Sequence, residues 1–193
     1  MRRVLSRVAR VLLFLVGALA ALWLAMPWRE VGSAALSLAS GRAGIAVGGV
    51  EGVDGGFTVE GLSTRGVPSV SFRSVTIRPQ LWASILSVAP VCEVEFDGGT
   101  ITMGQVLSLG AGGALVTAGR SEILFEGLRT DGDLTVRGFL TIDPARMRIG
   151  TAEAAVQVPA SFEGNMDGLR TILPLVREGD RWYLRRARGG AGR

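Results

Sequence analysis

Apolar and polar positions divide this chain into three kinds of stretch. From Val11 to Trp28 no residue is charged, and Val11, Leu12, Leu13, Phe14, Leu15, Val16, Leu19, Leu22, Trp23 and Trp28 supply most of the bulk. As an α-helix this run would be about 27 Å long, enough to cross a thin hydrocarbon core. Lipid offers the backbone no hydrogen bonds, so residues 11–28 are predicted as a single transmembrane helix. Residues 29–44 have only Leu36 and Leu38 as large apolar side chains and are expected to form a connector with one short helix. From Ile45 onward the period shortens to two, the signature of half-buried strands.

Within that third stretch, Phe57 to Glu60 alternates, as do Val70 to Arg73 and Val75 to Arg78. The last two are one position out of phase, which predicts a bulge at Ser74. Leu81, Trp82, Ile85 and Leu86 recur at helical spacing before Pro90, giving a two-turn helix whose apolar side is expected to pack into the core. Cys92, Val94 and Phe96 alternate with Glu93, Glu95 and Asp97, and Asp97-Gly98-Gly99-Thr100 then reads as a hairpin turn returning through Ile101 to Met103. Residues 104–120, rich in Gly and Ala, read as a loop or loose strand. Strands are expected at Ile123–Leu128, at Leu134–Ile142 with Leu134, Val136, Leu140 and Ile142 on one face, at Ala152–Val158 and at Trp182–Leu184. A short helix is expected over Asn165–Val176, and a disordered tail over 186–193.

Two short patterns recur in the same order. Glu60-Gly61-Leu62-Ser63-Thr64-Arg65-Gly66 is echoed by Glu126-Gly127-Leu128-Arg129-Thr130-Asp131-Gly132, and Thr76-Ile77-Arg78-Pro79 by Thr141-Ile142-Asp143-Pro144. A duplicated β unit, about 57–79 and 123–144, is the expectation, with each E-G-L-x-T-x-G segment as a turn.

Charge adds a direction. Arg2, Arg3, Arg7 and Arg10 precede the apolar run with no acid among them, so residues 1–10 are expected to remain cytoplasmic as a basic stub. Trp23 and Trp28 fall toward the far end, where indoles favour the headgroup zone. A cleaved signal peptide fits less well, since Met26-Pro27-Trp28-Arg29 is too bulky for a cleavage site. The chain has 21 basic residues, all arginine, and 17 acidic ones; removing the stub leaves 17 against 17. Five arginines (181, 185, 186, 188 and 193) crowd the last thirteen residues. The body between the two ends therefore lacks the coherent basic face a nucleic-acid surface needs.

The residue inventory narrows the chemistry further. Without histidine there is no ordinary general base near neutral pH, and with a single cysteine the familiar zinc sites cannot form. Without lysine there is neither a Walker-type phosphate loop nor Schiff-base catalysis. Glu93 and Glu95 are expected on a solvated outer face, Cys92 as a small core residue, and Asp131-Gly132-Asp133 as a turn. No catalytic, cofactor or metal site is expected, and the reading is of a non-enzyme.

The order of these elements resembles a known family. Val75-Thr76-Ile77-Arg78-Pro79, then Leu81-Trp82-Ala83-Ser84-Ile85-Leu86, then Val91 to Gly99 resembles the strand, short helix, strand and D-G-G sequence of AsmA-like proteins and the related protein N of type II secretion systems. Gly138 to Pro144 and Gly179 to Arg185 also resemble protein N. The resemblance implies a bacterial inner-membrane protein, single-pass with its N-terminus cytoplasmic. Its periplasmic β-rich domain, residues 45–185, would be a curved, mostly antiparallel sheet around an apolar surface. Its partners would be envelope or secretion-system proteins. The alternative is lipid or lipopolysaccharide transport along an apolar trough, for which Val94, Phe96, Leu134, Val136, Leu140 and Ile142 are the candidate lining.

Overall fold

A computed structural model describes residues 25–43, 45–64, 69–103, 105–146, 148–163, 166, 170, 174–179 and 181–186. The predicted transmembrane run up to Leu24 and the basic stub lie outside these residues. Among the described residues, no helix is long and apolar enough to cross a membrane.

The chain opens with helix α1 (Trp28–Ala43), followed by strands β1 (Ile45–Ala46), β2 (Gly49–Val53), β3 (Gly56–Thr64) and β4 (Ser69–Pro79). Helix α2 (Leu81–Ser87) leads into β5 (Val91–Met103), β6 (Gln105–Ala118), β7 (Ile123–Thr130), β8 (Thr135–Asp143) and β9 (Arg148–Gln157). A 3-10 turn (Ala160–Phe162) precedes β10 (Leu175–Glu178) and β11 (Arg181–Arg186). All strands join one open antiparallel sheet in the order β1-β3-β4-β5-β6-β7-β8-β9-β11-β10, with β2 also pairing β3. Chain order and spatial order almost coincide, because short turns join neighbours and only β10 and β11 exchange places.

Alternation sorts the sheet into an apolar face and a polar one. Val59, Val75 and Phe96 stand side by side through the pairs Val59↔Val75 and Val75↔Phe96, and the same face continues through Phe125↔Leu140, Leu140↔Ala152 and Ala154↔Leu184. Two clusters cover its ends. At the N-terminal end Trp28, Phe57, Val59 and Val75 are buried, with Val31 and Leu36 of α1 among the side chains packed on them. At the C-terminal end Phe162 and Met166 lie among Leu107, Ala154, Val156, Leu175, Trp182 and Leu184. Because Leu107 of β6 shares a cluster with residues of β9 to β11, the sheet bends over its apolar face.

The phase change expected at Ser74 occurs between Phe72 and Val75, but without a bulge in β4, whose pairings with β3 and β5 carry no register shift. Gly61 in β3, Gly98 in β5 and Gly110 in β6 all have φ near +60°, which glycine adopts without the Cβ clash. Glu60 still faces Ser74 and Leu62 still faces Phe72, so neighbours change phase together and the β3–β4 register is unbroken. The result puts Phe72, three residues from Val75, on the same apolar face, its ring 4.9 Å from that of Phe96.

Five other expectations need correction. Asp97-Gly98-Gly99-Thr100 is not a hairpin turn but the bulged middle of the thirteen-residue strand β5. Residues 105–118, read as a loop or loose strand, form the regular strand β6, in which glycines are demanded by crowding: a Cβ at Gly112 would collide with the Arg129 carbonyl oxygen. The repeated E-G-L segments sit within β3 and β7 rather than in turns. In the predicted Asn165–Val176 helix, Leu175 and Val176 belong to β10, while Leu169, Ile172 and Leu173 lie outside the described residues. Helix α2 forms as expected, but its apolar side is not in the core: Trp82 is 62% exposed and Leu86 84%. Gln80 and Ser84 occupy the side facing the sheet instead.

Candidate functional site

The apolar face is the first surface on which a partner could act. Val94 and Phe96 pack against the N-terminal cluster, and Leu134, Val136 and Leu140 against the C-terminal one. Ile142 pairs with Ile149. All six side chains are only partly buried. Between the two covers, Cys92, Val116, Ile123 and Phe125 are also half-buried on this face, through the pairs Cys92↔Val116, Val116↔Phe125 and Ala118↔Ile123. Burial there raises the Cys92 thiol above its ordinary pKa, so the thiolate is disfavoured at neutral pH.

On the polar face, Glu95, Arg129, Asp131 and Arg137 border a groove of about 800 Å³ that also reaches Phe96 of the apolar face. It forms where β7 is distorted at Gly127 (φ +60°) and the β7–β8 register shifts. Its two acids are already engaged: Glu95 accepts from Arg78, and Asp131 Oδ1 accepts the Ala111 N–H at 2.6 Å. Arg129 and Arg137 are direct cross-strand neighbours, and like charges so placed repel. That edge of the groove therefore suits an anion better than a cation.

Acid–base pairing is not assembled on this face. Glu93 accepts from Gln80 Nε2 at 3.1 Å, which places both glutamates of the row in structural contacts. Asp143 is held below the usual carboxylate range, chiefly by the Arg146 N–H. Partial burial opposes this, while the Ala145 N–H and the Arg146 guanidinium add to it. It caps the β8–β9 turn. Among the described residues there is no cluster of three or more His, Cys, Asp or Glu side chains arranged to hold a metal.

Of the residues singled out from the sequence, Val11 to Trp23 and the four N-terminal arginines lie outside the described residues. Trp28 starts α1 and is 7% exposed against Phe57, Val59 and Val75. The surface that periodicity missed is the outward side of α2, since helical spacing of apolar residues gives a stripe but not the direction it faces. The lack of any charge from Gln80 to Pro90 was the available signal.

Fold and surfaces together define an open β-sheet protein that offers faces and edges for binding. The sequence profile of the family described as type II secretion system protein GspN-like, Synergistales, matches residues 5–186. The chain belongs to that family. No curated protein and no solved structure matches it.

Proposed function

We propose that this protein is a non-catalytic accessory component of a type II secretion system, tethered to the bacterial inner membrane by the apolar run that precedes α1, with its sheet in the periplasm. The family match over residues 5–186 carries this reading. A tether holds the sheet at the membrane and raises its effective concentration for other envelope components. The outer edges of β2 and β10 offer unpaired backbone groups to which a partner strand can add. Cross-linking in intact cells followed by purification from membranes should recover secretion-system subunits. Recovery of none, together with normal secretion in a deletion strain, would refute the proposal. A reporter enzyme fused after Arg193 should be active only outside the cytoplasm.

A second reading is favoured by one observation, the half-buried strip Cys92, Val116, Ile123 and Phe125 between the two covers. In an AsmA-like arrangement this strip would take acyl chains. Mass spectrometry of the protein extracted from membranes distinguishes the two, since a carrier retains stoichiometric lipid and an accessory scaffold does not.

A further inference from the structure

Helix α2 is amphipathic in the reverse of the usual sense. Its polar side holds it to the sheet: the Gln80 N–H donates to the Val91 carbonyl at 2.7 Å, the Val91 N–H to Ser84 Oγ at 2.9 Å, and Gln80 Nε2 to Glu93. Its apolar side faces away, with Ile85 52% and Val88 92% exposed beside Trp82 and Leu86. Val88 is also the one described non-glycine residue at positive φ (+53°), a conformation that a β-branched side chain strongly resists. It ends the helix, with the Val88 and Ala89 N–H groups donating to the carbonyls of Ile85 and Ser84. A soluble surface gains nothing from presenting four large apolar side chains on an uncharged segment.

The position of α2 identifies what covers it. Gly52 and Phe57 flank the β2–β3 turn, and the backbone of Arg29 lies against Gly52 while Trp28 packs with Phe57. Phe57 pairs with Ile77, three residues before Gln80. Trp28 and Arg29, which close the apolar run in sequence, thus meet the sheet at the same end from which α2 projects. The turn at Asp54-Gly55, α2 itself, and the β6–β7 and β8–β9 turns all lie at that end.

We infer that α2 is a membrane-contacting element, its Trp82, Ile85, Leu86 and Val88 side chains entering the interfacial zone of the bilayer that holds the N-terminal tether. The inference rests on the tether proposed above. An indole suits the headgroup level, and the aliphatic side chains beside it suit the acyl boundary. At seven residues α2 is far too short to span and can only lie at the surface. A second attachment point fixes the sheet's orientation to the membrane, which one flexible tether cannot do.

The test uses the full chain reconstituted in phosphatidylethanolamine/phosphatidylglycerol vesicles. An environment-sensitive fluorophore is attached to single cysteines at Leu86→Cys, Leu19→Cys or Val106→Cys, each in a Cys92→Ala background. Val106 is exposed near the opposite end of the sheet, roughly 35 Å from α2. The expected result is a blue-shifted probe at position 86 quenched several-fold by lipids spin-labelled near the headgroup, a probe at position 19 quenched by lipids spin-labelled deep in the acyl chain, and position 106 quenched by neither. Quenching at 19 but not at 86 overturns the inference and leaves the tether standing. Quenching at neither removes both. Quenching at 86 alone keeps the membrane contact and removes the tether. A blue shift at 86 that lipid quenchers do not touch means a protein, or a second copy of this chain, covers α2, which also overturns the inference.

Discussion

Thr64 and Thr130 each serve a hairpin in the same way. The hydroxyl oxygen of Thr64 accepts the Val70 N–H at 2.9 Å, that of Thr130 accepts the Val136 N–H at 2.8 Å, and each is six residues before its donor. Thr130 is buried, so Thr130→Val would strand that N–H. The expected loss is about 1–3 kcal/mol, read from the urea midpoint. The glycines before them, Gly61 and Gly127, share a φ near +60°. At Gly127 nothing lies within 4 Å of an added Cβ, so Gly127→Ala should cost only the backbone term of about 1–2 kcal/mol. Gly110→Ala should cost more, since its Cβ would meet the Asp131 carboxylate and lie 2.7 Å from the Gly132 nitrogen. Asp143 supplies a pH signature. Its folded pKa is depressed, so its contribution to stability is present above the ordinary carboxylate value of about 3.9 and disappears as pH falls through the lower folded value. In Asp143→Asn that acid-side component should be absent from a pH series of thermal melts. At this scale the sequence was partly readable. The repeat marked equivalent residues, but a left-handed glycine serves a turn and a bulge alike, and only strand pairing tells Gly98 from a hairpin glycine.

The two α-helices pose opposite tests. Trp28 anchors α1 into the N-terminal cluster, and Trp28→Ala should destabilise the fold by about 3–5 kcal/mol, measured by denaturant unfolding in detergent. Leu86→Ser in α2 removes an exposed side chain and should stay within about 0.5 kcal/mol of the parent. The pair separates core from surface where sequence treats both as apolar helix. Strands with alternating large side chains, such as β8, were legible because each inward residue differs plainly from its neighbour. Strand β6 was not. Close approach of β5 and β7 forces Gly112 and Gly113 into its middle, and small residues erase the hydropathy contrast on which alternation depends.

At the scale of the molecule, one open sheet with two covered ends exposes edges, a half-buried inner strip and an outer groove. Period-two alternation from Ile45 onward predicted the β class, whereas the covering of the inner face by α1 and by Phe162 and Met166 depends on contacts distant in sequence. The strand order also bears on synthesis. A chain emerging from its N-terminus delivers each strand next to one already in place, from β3 through β9, so assembly can proceed like a zip closing from one side. The single interruption comes at the finish, where β10 arrives before the strand that must hold it. The last hairpin must therefore form as a unit, and a chain truncated after Glu178 should keep its earlier strands resistant to protease while β10 is cut.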